Sequence, residues 1–186
     1  MNKWVARIVV PLAWMFMIVA PAPARADAVS GFDDWRVPTG EMCAQHTDTA
    51  VAASVWRWSS MTDVNIVTKA SCADYPRNRT LMFRTLNEPT GGWCTRFNAN
   101  GWVWQYVRDD WTWTAKYPTL EVNAGRAKTC QNSWASKLHL YVHEMGHWLG
   151  LAHNNLVSVM CQSSNSCGYQ YTEPQKVDIE RVNSQY

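Results

Sequence analysis

Apolar positions recur along the chain in two rhythms. Between Thr47 and Ser60, Val51, Val55, Trp56 and Trp58 sit near helical spacing, and Val64-Asn65-Ile66-Val67, after the Thr62-Asp63 break, reads as a β-branched strand. Pro76, Pro89, Gly91 and Gly92 punctuate the stretch that follows, with Leu81-Met82-Phe83 between them as a second strand. Asn100-Gly101 is a two-residue hairpin signal that would join 93–98 to 102–107, and it puts Trp102, Trp104 and Tyr106 on one face. Leu120-Glu121-Val122-Asn123 is another short strand. Leu138, Val142, Met145 and Leu149 make one stripe at helical spacing across 136–149, which Gly150 ends, and Val177, Ile179 and Val182 predict a closing helix over 174–186. There is no internal repeat, linker or low-complexity tract. The Trp and Tyr alternation from Trp93 to Trp113 reads first as cross-strand packing and second as a stacking surface for sugars, bases or apolar side chains.

The first 26 residues follow a different rule. Lys3 and Arg7 precede an apolar run of 13 residues, Ile8 to Ala20, and Ala24-Arg25-Ala26 supplies a small-x-small cleavage pattern. Residues 1–26 are therefore expected to be a secretory signal peptide, the run being too short for the roughly 20 residues that cross a bilayer. Residues 27–186 are expected to be a single exported domain, because 186 residues leave no room for two ordinary ones. Of 17 Lys and Arg, three lie in the leader, which leaves 14 basic against 15 acidic residues. That balance argues against a general binder of nucleic acid or anionic membrane. Twelve Trp, seven Tyr and four Phe argue against disorder. All six cysteines, at 43, 72, 94, 130, 161 and 167, fall in the exported part, contain no C-x-x-C pair and favour three disulfides; Cys161 with Cys167 is the one local pairing the spacing suggests.

The chemistry lies in His143-Glu144-Met145-Gly146-His147. Two imidazoles four residues apart stand about 40° round a helix and one turn along it, so both reach one ion from the same face. Gly150 can end the helix and turn the chain back, and His153 is spaced to return as a third ligand. Three histidines leave one coordination position open, which separates a catalytic zinc from a structural one. Glu144, next to the first ligand, is placed beside that open position to take a proton from water during attack on a carbonyl and to hand it to the leaving amine.

Residues 143–153 read HEMGHWLGLAH and so resemble the metzincin zinc-peptidase signature position by position. The resemblance extends to Met160, in Ser158-Val159-Met160, as the Met-turn methionine under the imidazoles. It reaches further to the helix-then-strand opening near 47–67, the strand at 120–123, and a matrixin-like closing helix with Asp178 and Tyr186. It implies an α+β metzincin-like zincin fold: a twisted mixed sheet with an active-site helix, and a small C-terminal subdomain holding the Met-turn. It also implies a substrate lying along an edge strand, for which Trp93 to Phe97 is the candidate. Asn154 stands where matrixins usually carry Ser, adamalysins Asp and astacins Glu. Gln162 replaces the Tyr of astacins and serralysins, so no tyrosine contribution carries over.

The expected activity is thus a secreted, extracellular zinc endopeptidase, with His143, His147 and His153 as metal ligands and Glu144 as the catalytic base. One catalytic Zn2+ is expected. The calcium requirement is left open, since the spaced His and Asp residues of vertebrate matrixin structural sites are missing, and Asp33-Asp34 and Asp109-Asp110 read as solvated turns. A protein or peptide substrate and a protein inhibitor are the partners implied, with no nucleic acid, no membrane once the leader is removed, and a monomeric chain. Two rival readings share these residues: a non-catalytic zinc-scaffold binding module, and a zinc amidase acting on glycan or peptidoglycan. Between Ala26 and the first helix there are about 20 residues, too few for a folded propeptide. Cys43 as a thiolate cap on the metal is less favoured than a disulfide, and Asn78-Arg79-Thr80 is a glycosylation sequon.

Overall fold

The computed structural model describes residues 39–43, 48–69, 80–107, 110–161 and 171–186, with 100–107 and 110–117 described by strand pairing alone. The leader, His46, Cys72, the Asn78 sequon, Gln162 and Cys167 lie outside them. Five strands form one mixed sheet: β1 (Thr39–Cys43), β2 (Asn65–Lys69), β3 (Thr80–Leu86), β4 (Thr95–Val107) and β5 (Asp110–Asn123), in the order β2-β1-β3-β5-β4. The first four neighbours in that order run parallel, and β4 closes one edge antiparallel to β5. Helix α1 (Thr49–Met61) follows β1; a short turn of helix, α2 (Ala127–Cys130), leads into α3 (Trp134–Trp148), and α4 (Lys176–Asn183) closes the chain. Among the described residues no helix is long and apolar enough to cross a membrane.

The Asn100-Gly101 pair is not a hairpin turn, which corrects the expectation from the sequence. β4 runs straight through it, and Asn98 pairs with Thr119 while Gly101 pairs with Tyr117, so β4 carries one extra residue at this point. A bulge uses the freedom of Asn-Gly as well as a turn does, and it keeps a far longer ladder with β5 than a turn at 100 would leave. The Trp102, Trp104 and Tyr106 side chains, expected on one face, lie outside the described residues. α1, β2, β3, α3 and α4 fall within a few residues of the expected spans, whereas β5 starts ten residues before the strand expected at 120–123, and β1 and α2 have no counterpart in the sequence reading.

α1 and α3 lie against the sheet through the apolar stripes seen in the sequence. Met42, Ile66, Leu81, Leu120 and Val122 from the strands meet Val51, Val55 and Trp58 from α1 and Leu138, Val142 and Met145 from α3, all buried. Each such side chain contributes roughly 1.5–3 kcal/mol of burial before conformational entropy is set against it. α1 is tied to α3 by polar contacts as well: Trp58 Nε1 donates to the Val142 carbonyl at 3.0 Å, and the Ser54 hydroxyl meets the Met145 sulfur at 3.0 Å. Both contacts sit on the turn of α3 that carries His143 and Glu144.

Asp48 begins α1 by accepting from the Ala50 N–H at 2.9 Å, and its carboxylate also meets Lys137 at 2.8 Å and the Tyr141 hydroxyl at 3.2 Å. Burial raises the pKa of the Asp48 carboxyl, but Lys137, the Ala50 N–H and Tyr141 outweigh it and hold the group below the ordinary value of 3.8. A depressed carboxylate contributes stability that is complete above its unfolded pKa and is lost as pH falls through its folded one. Asp48→Asn keeps the cap acceptor and loses the charge. Its deficit in thermal midpoint against the parent, measured on metal-free protein, is expected to be present at pH 7 and to shrink below about pH 4. A deficit independent of pH would show that the charge is not what holds the two helices here.

Cys94 and Cys130 are disulfide-bonded, closing a separation of 36 residues between the start of β4 and the end of α2. Loop-closure entropy for that span corresponds to about 3–4 kcal/mol. Cys43 and Cys161 each belong to a disulfide of their own, with partners outside the described residues, which removes Cys43 as a thiolate cap on the metal. Beside the Cys94 bridge, Asn123 gathers the loop before β4: its side chain accepts from the Glu88 and Gly125 N–H groups and donates to the Glu88 and Trp93 carbonyls.

Candidate metal centre and active site

The site is built on the second half of α3 and the chain that returns beneath it. Ser133 caps the helix start, accepting from the Ser136 N–H at 3.1 Å. The end is a left-handed stop: Gly150 has φ 85°, its N–H reaches the His147 carbonyl at 3.0 Å, and the Leu151 N–H reaches the Gly146 carbonyl at 2.9 Å. This paired closure is the one that glycine favours after a helix. It reverses the chain so that the Leu151 carbonyl faces His147 Nδ1 at 2.8 Å. The second expected ligand is therefore oriented by the turn that brings in the third.

The Met-turn orients the first. His143 Nδ1 meets the Val159 carbonyl at 2.8 Å. That carbonyl is fixed from below, because the buried Asp178 carboxylate of α4 accepts from the Val159 N–H at 2.9 Å, from the Gln175 N–H at 2.9 Å, and from the Ser158 hydroxyl. The Ser158 hydroxyl accepts in turn from the Met160 N–H at 2.9 Å and from the Asn154 amide at 3.0 Å. Met160 is fully buried under α3. A Cβ on Gly146 would overlap its sulfur and come within 3.2 Å of Trp58, so glycine lets the floor approach the helix.

His143, His147 and His153 converge, with their ligand atoms all within 4.8 Å of one another. His153 Nε2 lies 3.1 Å from His143 Nε2 and 3.1 Å from His147 Nε2. A carbonyl can only accept, so Nδ1 of His143 and of His147 carries the proton and Nε2 of each presents a lone pair. A proton on His153 can bridge only one of the two contacts, and the remaining lone pairs face one another unless a cation lies between them. Three nitrogens round a tetrahedral zinc at ~2.0–2.1 Å stand about 3.3–3.4 Å apart, close to the observed spacing. The donor set therefore fits zinc. Burial, followed by the neighbouring imidazoles, pushes the His147 pKa down to about 3, and burial likewise lowers that of His143 and His153. All three are neutral at physiological pH, the form a metal requires.

Glu144 is buried on the sheet side of α3. Its carboxylate accepts from the Thr95 hydroxyl at 2.9 Å and from the Phe97 N–H at 2.7 Å, both on β4. Burial pushes its pKa up to about 7, against the opposing pull of the Thr95 and Phe97 hydrogen bonds and of His153. A carboxyl poised near neutrality can both take and return a proton. Phe97 also lies beside His147, with ring centroids 6.4 Å apart. His139, one turn before His143, is half-buried and meets the Tyr171 carbonyl at 2.8 Å, fastening the C-terminal segment to the same helix.

The matrixin family model matches residues 36–186. The chain belongs to the matrixin family. No curated protein sequence matches it. This matrixin is a zinc metalloendopeptidase with a mixed five-stranded α+β fold, and its histidine cluster is consistent with the HExxHxxGxxH signature. Matrixins hold their catalytic zinc with three histidines, act on proteins and are typically secreted.

The structure brings together the four residues expected as metal ligands and base, and gives two further sets a part in the site that the sequence had not assigned them. Thr95 and Phe97 hold Glu144 from 47 to 49 residues away, a relation that no local spacing encodes. Ser158 and Asn154 brace the Met-turn, and a polar pair flanking the Met160 segment was the only signal for them.

Proposed function

We propose that His143, His147 and His153 ligate the catalytic zinc through Nε2, that Glu144 is the general base and then the general acid, and that Met160 forms the floor of the site. The facing Nε2 lone pairs beside a buried Glu144 carry this reading. When bound, zinc supplies a Lewis acid that polarises a carbonyl and lowers the pKa of water to about 7. Glu144 then receives the proton of the attacking water on its carboxylate and delivers it to the leaving amine nitrogen. Thr95 and the Phe97 N–H keep that carboxylate aimed while its charge changes.

The substrate is a protein or peptide laid along β4. The Asn123 N–H donates to the Cys94 carbonyl at 2.9 Å, which makes Cys94 and Asn123 a hydrogen-bonded pair of the antiparallel ladder. Alternation then turns the backbone N–H and C=O groups of Thr95 and Phe97 outward, away from β5. The Phe97 N–H is engaged by Glu144, and an extended peptide can pair with the edge beside that contact. The chain acts outside the cell, with residues 1–26 as its leader and 27–186 as the catalytic domain.

The test is metal content and cleavage of unfolded casein by residues 27–186, with and without a zinc chelator. We expect one zinc per chain, loss of at least about 100-fold in cleavage on chelation, recovery on adding zinc, and a lower thermal midpoint for the stripped protein. Bound zinc with no cleavage of any protein would overturn the peptidase reading, and absence of zinc binding would overturn the ligand set.

A further inference from the structure

Thr95 and Phe97 point toward α3, so Arg96 between them points to the other face of the sheet, still at the open edge. There it is unusually well fixed. Its Nε donates to Glu121 at 2.6 Å, and its guanidinium lies 4.2 Å over the Trp93 ring. Glu121 is the strand neighbour of Arg96 on β5 and of Arg84 on β3, and is 1% exposed. Arg84 approaches the same carboxylate at 3.9 Å, so two guanidinium groups share one buried negative charge. Trp93 is held in turn by Glu88, which accepts from its indole N–H at 2.9 Å and makes no ion pair with Arg96 among the described residues.

The Arg96 side chain remains 45% exposed, and its two terminal nitrogens have no partner among the described residues. An arginine held by its inner nitrogen and by its flat face has little rotamer freedom left to lose. It presents an outward fork suited to a carboxylate.

We propose that Arg96 is a specificity-determining residue that selects substrates carrying Asp or Glu at the position facing it across the β4 edge. This rests on the reading that peptides pair with β4. In such a pair the side chain opposite Arg96 projects to the same face, with Cβ atoms about 4.5–5.5 Å apart. Since Glu144 touches the residues on either side of Arg96, the acidic position lies within about two residues of the scissile bond.

The experiment takes one casein peptide cleaved in a chelator-sensitive manner and resynthesises it with Glu, Gln or Lys at each position near the cut. At one position kcat/KM is expected to fall in the order Glu, Gln, Lys, with Glu ahead of Gln by about three- to tenfold at low salt. The effect should reside in KM, as for binding shared by ground and transition states, and should narrow toward about 0.5 M salt. In Arg96→Gln the Glu to Gln ratio should fall to about one. Equal rates for Glu and Gln at every position in the parent enzyme, or a ratio that survives Arg96→Gln, would overturn the assignment. If the variant does not fold, the parent's own Glu to Gln comparison and its salt dependence decide the matter. If no parent peptide is cleaved at all, the peptidase reading falls and this inference with it; cleavage without an acidic preference removes only the inference.

Discussion

Glu144→Gln is expected to lower kcat by about 10²–10⁴-fold while zinc content and thermal stability stay near those of the parent. Glutamine fills the same volume and can still accept from the Phe97 N–H through its carbonyl oxygen, and the Thr95 hydroxyl can turn from donor to acceptor toward the new amide. The fold therefore loses little, and it no longer bears the burial of an ionisable group whose pKa is pushed up to about 7. Chemistry loses both proton transfers at once, because the same carboxylate serves attack and departure. The loss should appear in kcat with KM nearly unchanged, as for an interaction made only in the transition state. Steady-state kinetics on one peptide together with zinc content would show it. A variant retaining more than about a tenth of the parental kcat would remove Glu144 from the role of base.

The second large effect is on structure. Asp178→Ala is expected to cost about 3–5 kcal/mol and to weaken zinc binding about 10–100-fold. Asp178 is fully buried and is the acceptor for the Ser158 hydroxyl, the Val159 N–H and the Gln175 N–H. Alanine leaves those donors without partners and takes away the reciprocal cap of α4. The Val159 peptide would then be free to rotate, and its carbonyl is what orients His143. Asp178→Asn should fall between the two, since its amide oxygen in the place of Oδ2 can still accept from both main-chain N–H groups, while its NH2 in the place of Oδ1 takes away the acceptor of the Ser158 hydroxyl. Denaturant unfolding and competition with a chelator measure the two quantities. A loss below about 1 kcal/mol with unchanged zinc affinity would mean that the Met-turn holds its shape without this carboxylate.

What could be read from the sequence was whatever is encoded within one or two helical turns. The His143 and His147 spacing, the Gly150 stop and the return to His153 are local, and the structure realises each of them. The stripe of Leu138, Val142 and Met145 likewise gave the buried face of α3 correctly. Asn100-Gly101 misled because its conformational freedom serves a bulge as readily as a turn, and the choice depends on which partner strand offers the longer ladder. The grip of Thr95 and Phe97 on Glu144 was invisible for a related reason: it exists only after β4 takes the edge of the sheet, and strand order is a property of the whole chain. Asp178 could be placed in the closing helix, but nothing in its neighbourhood marks Val159 as its partner, 19 residues back.

The Cys94 to Cys130 bridge makes 95–129 a closed excursion from the rest of the molecule. The edge strand leaves from one sulfur and the approach to α3 leaves from the other, so the long β4 and β5 ribbon is anchored at its base on both sides. A single cut anywhere in that excursion would not separate the polypeptide into two molecules. The strand that receives the substrate and the helix that carries the histidines would stay covalently joined, and a nicked enzyme would run as one species until its disulfides were reduced. For a peptidase surrounded by its own kind, self-cleavage within this ribbon is thereby separated from disassembly.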